Sequence, residues 1–156
     1  MKNQSFFVFQ QKLNEWYLSS SSYHELALHL QVNESTLKGW LSGSRHPTIK
    51  RLDQIADQLG CFTHELICPH SPILFHKNPR KNHSHHAFSQ NLGIIFNQKG
   101  CYRTVQKLTL LEGLVTDFAL QSYLREQNYR LPTLKKLDQI ADVLQMEAYL
   151  LLQERS

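Results

Sequence analysis

The stretch Pro47–Leu59, PTIKRLDQIADQL, returns as Pro132–Leu144, PTLKKLDQIADVL. The hexapeptide LDQIAD is identical in both, at Leu52–Asp57 and Leu137–Asp142. Chance does not reproduce such a run, so an internal repeat governs every later reading. The interval from Leu52 to Leu137 is too long for a stacked solenoid. It fits two compact units of about 70 residues each, at the small end of independent domains.

The match extends backward. VNESTLKGWL (Val32–Leu41) lies over VTDFALQSYL (Val115–Leu124), with Val32, Leu37, Trp40 and Leu41 facing Val115, Leu120, Tyr123 and Leu124. Further back, Phe9, Leu13 and the Trp16-Tyr17 pair match Phe88, Leu92 and the Ile95-Phe96 pair. The offset grows from one matched segment to the next along the chain. The units therefore share an order of elements and differ in loop length. The expected division is 1–69 for the first unit, 70–86 for a linker and 87–156 for the divergent second unit.

Hydrophobic residues make up 41% of the chain, enough for globular cores, and no apolar run approaches a membrane span. Three cysteines at irregular spacing do not form a disulfide framework and point to a reducing cytoplasm. No signal peptide is expected, since polar residues interrupt the short apolar run near Met1. The net charge is +4. Residues 1–69 hold six Lys/Arg and six Asp/Glu, residues 91–156 hold eight and seven, and the excess sits at Lys77, Arg80 and Lys81 in the linker. Any nucleic-acid binding therefore rests on local placement of charge.

Within the first unit, Phe6, Phe9, Leu13, Trp16 and Tyr17 form one helical stripe with Ser5 as N-cap. The serine run Ser19–Ser22 breaks that helix. Tyr23–Leu30 is a short helix, and Asn33 caps a third, ESTLKGWLS. Gly43 and Pro47 bound a loop. Thr48 caps the helix that contains LDQIAD, whose Leu, Ile and Ala face the core and whose Asp, Gln and Asp face water. THELI from Thr63 makes a fifth short helix. The unit is all-α.

The pair YHELALHL–QVN–ESTLKGWL resembles the helix-turn-helix of the lambda-repressor-like (Cro/repressor, Xre-type) family. Ala27 allows close approach of the two helices, Val32 plugs the turn, and Leu37 and Trp40 anchor the second helix. The sequence that follows, GSRHPTIKRLDQIADQLGCFTHELI, resembles the family's downstream pattern. Gln31 stands where the family usually has Gly, at a position that wants positive φ. In the second unit the upstream helix, VQKLTLLEGLV, aligns only with a one-residue slip. The fold expected is all-α, with two tandem five-helix lambda-repressor-like helix-turn-helix domains.

The resemblance implies that the second helix of the pair enters the major groove by its N-terminal end. The implied DNA contacts are Asn33, Glu34, Ser35, Thr36, Lys38 and Gly39, with Ser42, Ser44, Arg45 and His46 along the backbone. In the second unit the equivalents are Thr116, Asp117, Phe118, Ala119, Gln121 and Ser122, followed by Arg125, Asn128 and Arg130. Two readings stay open there. One is a degenerate copy kept for packing or for a homodimer; the other is a second half-site reader with Phe118 on a thymine methyl. Asp117 would repel phosphate, so Phe118 is expected at a protein interface covered by a second copy, another protein or the Ile73–Phe75 segment.

The linker segment, CPHSPILFHKNPRKNHSHHAF from Cys68, holds three prolines and five histidines and reads as extended. Lys77, Arg80 and Lys81 are its expected phosphate contacts. His83, His85 and His86 are expected to be solvated, and Cys61, His64, Cys68 and His70 lack a recognised zinc spacing, so no metal is expected. No Gly-rich phosphate loop or nucleophile elbow is present; neither an enzyme nor a cofactor is expected. The expected function is a cytoplasmic, bacterial or phage transcriptional regulator that binds double-stranded DNA, without membrane or small-molecule substrate. The alternative is a protein-interaction module that reuses the fold.

Overall fold

The computed structural model describes residues 2–20, 22–70, 72–74 and 81–155; among them every regular element is helical. The first half runs α1 (Ser5–Ser19), α2 (Tyr23–Leu30), α3 (Glu34–Ser42), α4 (Ile49–Leu59) and a 3-10 turn, Thr63–Leu66, in place of the expected fifth helix. The second half runs α5 (Ser84–Gln98), α6 (Thr104–Leu110), α7 (Asp117–Leu124), α8 (Leu134–Val143) and α9 (Ala148–Leu152).

Side-chain oxygens start several of these helices by accepting an otherwise unpaired backbone N–H. Asn33 caps Thr36 N at 2.7 Å, Thr48 caps Arg51 N at 3.1 Å, Thr116 caps Ala119 N at 3.0 Å and Thr133 caps Lys136 N at 3.1 Å. Gln31 ends α2 in the left-handed region at φ 55°, as its place in the turn requires. Glu112 does the same after α6 at φ 53°. Both halves centre on an edge-to-face aromatic pair. Phe9 meets Trp40 at 5.8 Å and Phe88 meets Tyr123 at 5.5 Å, each at 71°. Such pairs add about 0.5–1.5 kcal/mol beyond burial.

The halves are joined by two matching sets of hydrogen bonds. In one, Asn3 donates its backbone N and Nδ2 to Asp142 Oδ1 (2.7 and 2.8 Å), donates Nδ2 to Met146 O (2.9 Å) and accepts from Ala148 N (2.8 Å). Beside it Ser5 donates its N and Oγ to the Asp138 carboxylate, at 3.0 and 2.6 Å. In the other, Asn82 donates its N and Nδ2 to Asp57 Oδ1 (2.6 and 2.8 Å), donates Nδ2 to Cys61 O (2.9 Å) and accepts from Thr63 N (3.0 Å). Ser84 donates its N and Oγ to Asp53. Asn3 and Ser5 align with Asn82 and Ser84 in the same register that sets Phe9 over Phe88. Asp53 and Asp57 align with Asp138 and Asp142 in the two LDQIAD copies. Each half thus offers an Asn-x-Ser key to the Asp-x3-Asp lock of the other. Reciprocity of this kind defines an isologous interface, the type found in twofold dimers.

Several expectations are corrected here. The aspartates of LDQIAD do not simply face water: Asp53, Asp57, Asp138 and Asp142 are half-buried between the halves. Ser5 is not the N-cap of α1 but its buried first residue, held by Asp138. The stretch expected as linker to residue 86 already contains the start of α5 at Ser84, and Asn82 and Ser84 are buried. His85 is not simply solvated; its ring stacks on Tyr129 at 3.5 Å, and burial lowers its pKa. In the second half the slip before α7 is two residues and lies in the turn. Gly113 N bonds to Leu108 O as Val32 N bonds to Ala27 O, and the chain then takes two extra residues to reach Val115.

Three expected outcomes follow from this architecture. Asp138→Ala leaves the N–H and hydroxyl of buried Ser5 without an acceptor, a loss of about 1–3 kcal/mol by urea denaturation. In a double-mutant cycle with Ser5→Ala, a coupling below about 0.5 kcal/mol would mean that the pair does not hold the halves together. Asp53 and Asp138 are both raised above the ordinary 3.8, by burial first and then against the serine hydrogen bonds. The folded state therefore holds these protons more tightly than the unfolded chain. Their stabilising contribution is full below pH 3.8 and is lost as pH rises through the raised folded values. Carboxyl NMR titration should place both midpoints above 3.8; midpoints at or below it would contradict this. Asn33→Ala should cost about 1 kcal/mol and speed amide exchange at Thr36, by loss of the α3 cap.

Candidate nucleic-acid interface

Helix α3 is held from behind. Leu37 and Trp40 are buried in the core, Ala27 of α2 is buried with them, and Gln10 of α1 donates Nε2 to Trp40 O (3.2 Å) and Leu41 O (3.0 Å). This leaves the first turn and one flank of α3 in solvent. Asn33, Glu34, Ser35 and Lys38 are exposed and Thr36 is partly exposed. Lys38 Nζ stands 5.2 Å from the Tyr23 ring centroid, and Glu34 lies 3.6 Å from His24 Nδ1. Both contacts tie α3 to α2.

The loop after α3 continues the same surface. Ser42, Ser44, Arg45 and His46 are exposed. Ser42 Oγ donates to Gly39 O at 3.2 Å and lies 3.1 Å from Ser44 Oγ, while the His46 ring stacks on Phe6 at 3.9 Å. Arg45 donates its backbone N to Gly39 O at 3.1 Å. Its stem passes so near that a Cβ on Gly39 would sit 2.8 Å from Arg45 Cδ. Gly39 is thus buried beneath Arg45 and is not the exposed contact that the sequence implies. An open groove of about 390 Å³ lies alongside, lined by Thr36, Trp40, Arg45, His46, Pro47, Thr48 and Arg51. Arg51, exposed at the start of α4, is a residue that the motif reading missed. Its signal was a second arginine beyond Pro47, within the same basic stretch as Arg45.

In the second half Gln121, Arg125, Arg130 and Phe118 are exposed. Gln121 Nε2 donates at 3.3 Å to Thr104 Oγ1 and to Asp117 Oδ1. It bridges α7 to α6 where Lys38 bridges α3 to α2. Arg130 donates its backbone N to Ser122 O at 3.2 Å, the counterpart of Arg45 N on Gly39 O. Ser122 is therefore a correction: it is 1% exposed, donates Oγ to Phe118 O and cannot reach a ligand on the surface. Phe118 is 57% exposed, with the Arg130 and Arg125 guanidiniums 5.0 and 5.8 Å from its ring centroid.

Of the linker cations, Lys81 is exposed, whereas Lys77 and Arg80 lie outside the described residues, as does Phe75 of the Ile73–Phe75 segment. Lys81 lines an open cavity of about 510 Å³ between the halves, with Lys50, Asp57, His83, His86 and Tyr129. Among the described residues no three His, Cys, Asp or Glu side chains converge to hold a metal ion, and no helix is long and apolar enough to cross a membrane.

No curated protein and no solved structure matches the chain. Residues 21–66 do match the family described as Helix-turn-helix, a span that runs from the end of the serine run to the end of the 3-10 turn. Residues 21–66 are therefore a helix-turn-helix domain of the Xre, lambda-repressor-like kind, a domain of DNA-binding regulators.

Proposed function

We propose that the chain is a sequence-specific regulator of transcription that binds double-stranded DNA through two helix-turn-helix units, the second a divergent copy of the first. The observation that carries this reading is the helix-turn-helix domain at 21–66, whose α3 leaves Glu34, Ser35 and Lys38 in solvent beside Arg45 and Arg51. Lys38, Arg45 and Arg51 take phosphate or guanine; Ser35 and Asn33 hydrogen-bond base edges. The matched features of the second half support its reading as a second unit. These are the left-handed residue after α6, the α6–α7 bridge at Gln121 and the backbone bond from Arg130 to Ser122. The reciprocal interface supports a chain that acts as its own dimer, since twofold symmetry is what a duplex presents to this motif. Gln121, Arg125 and Arg130 then serve a second half-site, and Lys77, Arg80 and Lys81 add phosphate contacts without sequence choice. The alternative, a protein-interaction module, is favoured by exposed Tyr102, Val105 and Phe118 on the second half.

Replacement of Lys38 and Arg45 together by Ala should lower the slope of log affinity against log salt by about two, one for each phosphate no longer neutralised. Duplex binding with an unchanged slope in the folded double variant would remove this surface from DNA.

A further inference from the structure

Helices α3 and α7 are built alike but differ at their exposed tips. Phe118 of α7 stands where Ser35 stands in α3, one residue after an acid in each case: Asp117 in the second half and Glu34 in the first. The sequence alone sets Phe118 on a protein surface because Asp117 would repel phosphate. Glu34 weakens that objection, since the first half carries the same charge in the same slot. Asp117 is also engaged locally by Gln121 Nε2, and an acid in a first turn suits the positive end of a helix.

The cations tell in the other direction. Arg130 is the positional counterpart of Arg45: its backbone N bonds to Ser122 O as that of Arg45 bonds to Gly39 O. The second half therefore carries an arginine that flanks its exposed helix as Arg45 flanks α3. It has Arg125 in addition, and both guanidiniums lie near the Phe118 ring, at 5.0 and 5.8 Å. An apolar tip rimmed by two cations suits a methyl group set between phosphates. In the major groove thymine alone among the four bases offers that methyl.

We propose that the second half reads a half-site of its own, in which the exposed Phe118 ring packs on the 5-methyl of a thymine while Arg125 and Arg130 take the flanking phosphates. This rests on the DNA-binding reading above and adds to it a base and the residue that selects it. The operator is then asymmetric: a half-site read by polar side chains of α3 beside one that demands a thymine.

The test uses the intact chain. Duplexes selected from a random pool should contain two dissimilar half-sites, one with a fixed thymine. Deoxyuridine at that thymine, which lacks only the methyl, should weaken binding by about 3- to 5-fold. In Phe118→Ala the thymine and deoxyuridine duplexes should bind alike, while preference in the first half-site stays as it was. The base substitution leaves the protein unaltered, so it tests the contact even where the variant folds poorly. Deoxyuridine without effect at every selected thymine overturns the proposal. So does a Phe118→Ala variant that changes self-association or protein capture but keeps the wild-type base preference. If the wild-type chain selects only one half-site, this inference fails together with the second unit of the regulator reading, while DNA binding through α3 stands; if it binds no duplex at all, the regulator reading fails entirely.

Discussion

The reciprocal bond between Asn-x-Ser at the start of one half and Asp-x3-Asp in the other sets the arrangement of the whole molecule. Each first helix is anchored not in its own half alone but by its N-terminal residues on the opposite half. Burial raises Asp53 and Asp138, so desolvation opposes the clasp, and the serine N–H and hydroxyl groups offset part of that cost. A carboxylate with several donors tolerates little misalignment, which makes the contact selective for one relative placement of the halves. The selectivity is chemical: a shift of either first helix would unpair Ser5 or Ser84, both buried.

This explains why LDQIAD is the best preserved phrase of the repeat. A packing helix needs Leu, Ile and Ala on its inner face but tolerates many polar residues outside. Here the two aspartates are also constrained, by Ser84 and Asn82 in one copy and by Ser5 and Asn3 in the other. Other surfaces carry no such double demand. The turn before α7 is longer than its counterpart before α3, the loop after α7 is longer again, and the tip of α7 has Phe in place of Ser.

The helices of the first half were legible because their caps and apolar stripes agree: Asn33, Thr48 and Gly43 each mark a boundary where the chain does turn. The left-handed turn at Gln31 was legible for the same reason. The clasp was not, although its signal was present as NQS at Asn3–Ser5 and NHS at Asn82–Ser84. Short polar words outside a helix read as caps or linker, and nothing in their spacing says that their acceptors lie in the other half. Burial of Ser122 was hidden similarly. A serine one turn from Phe118 looks solvated until the Arg130 backbone is seen to close over it. Arg51 was missed because it lies on the packing helix, beyond the loop that ends at Pro47, where the motif places no DNA contact.

On the proposed reading one chain is the equivalent of a dimer, with two unlike reading helices held by the self-complementary interface. Hydroxyl-radical footprinting of a selected duplex, with the mass of the complex measured in parallel, tests this most directly. The predicted result is one chain per duplex and two protected patches on one face of the DNA, about one helical turn apart, around 34–36 Å. A single protected patch, or two chains needed to protect both, would contradict it.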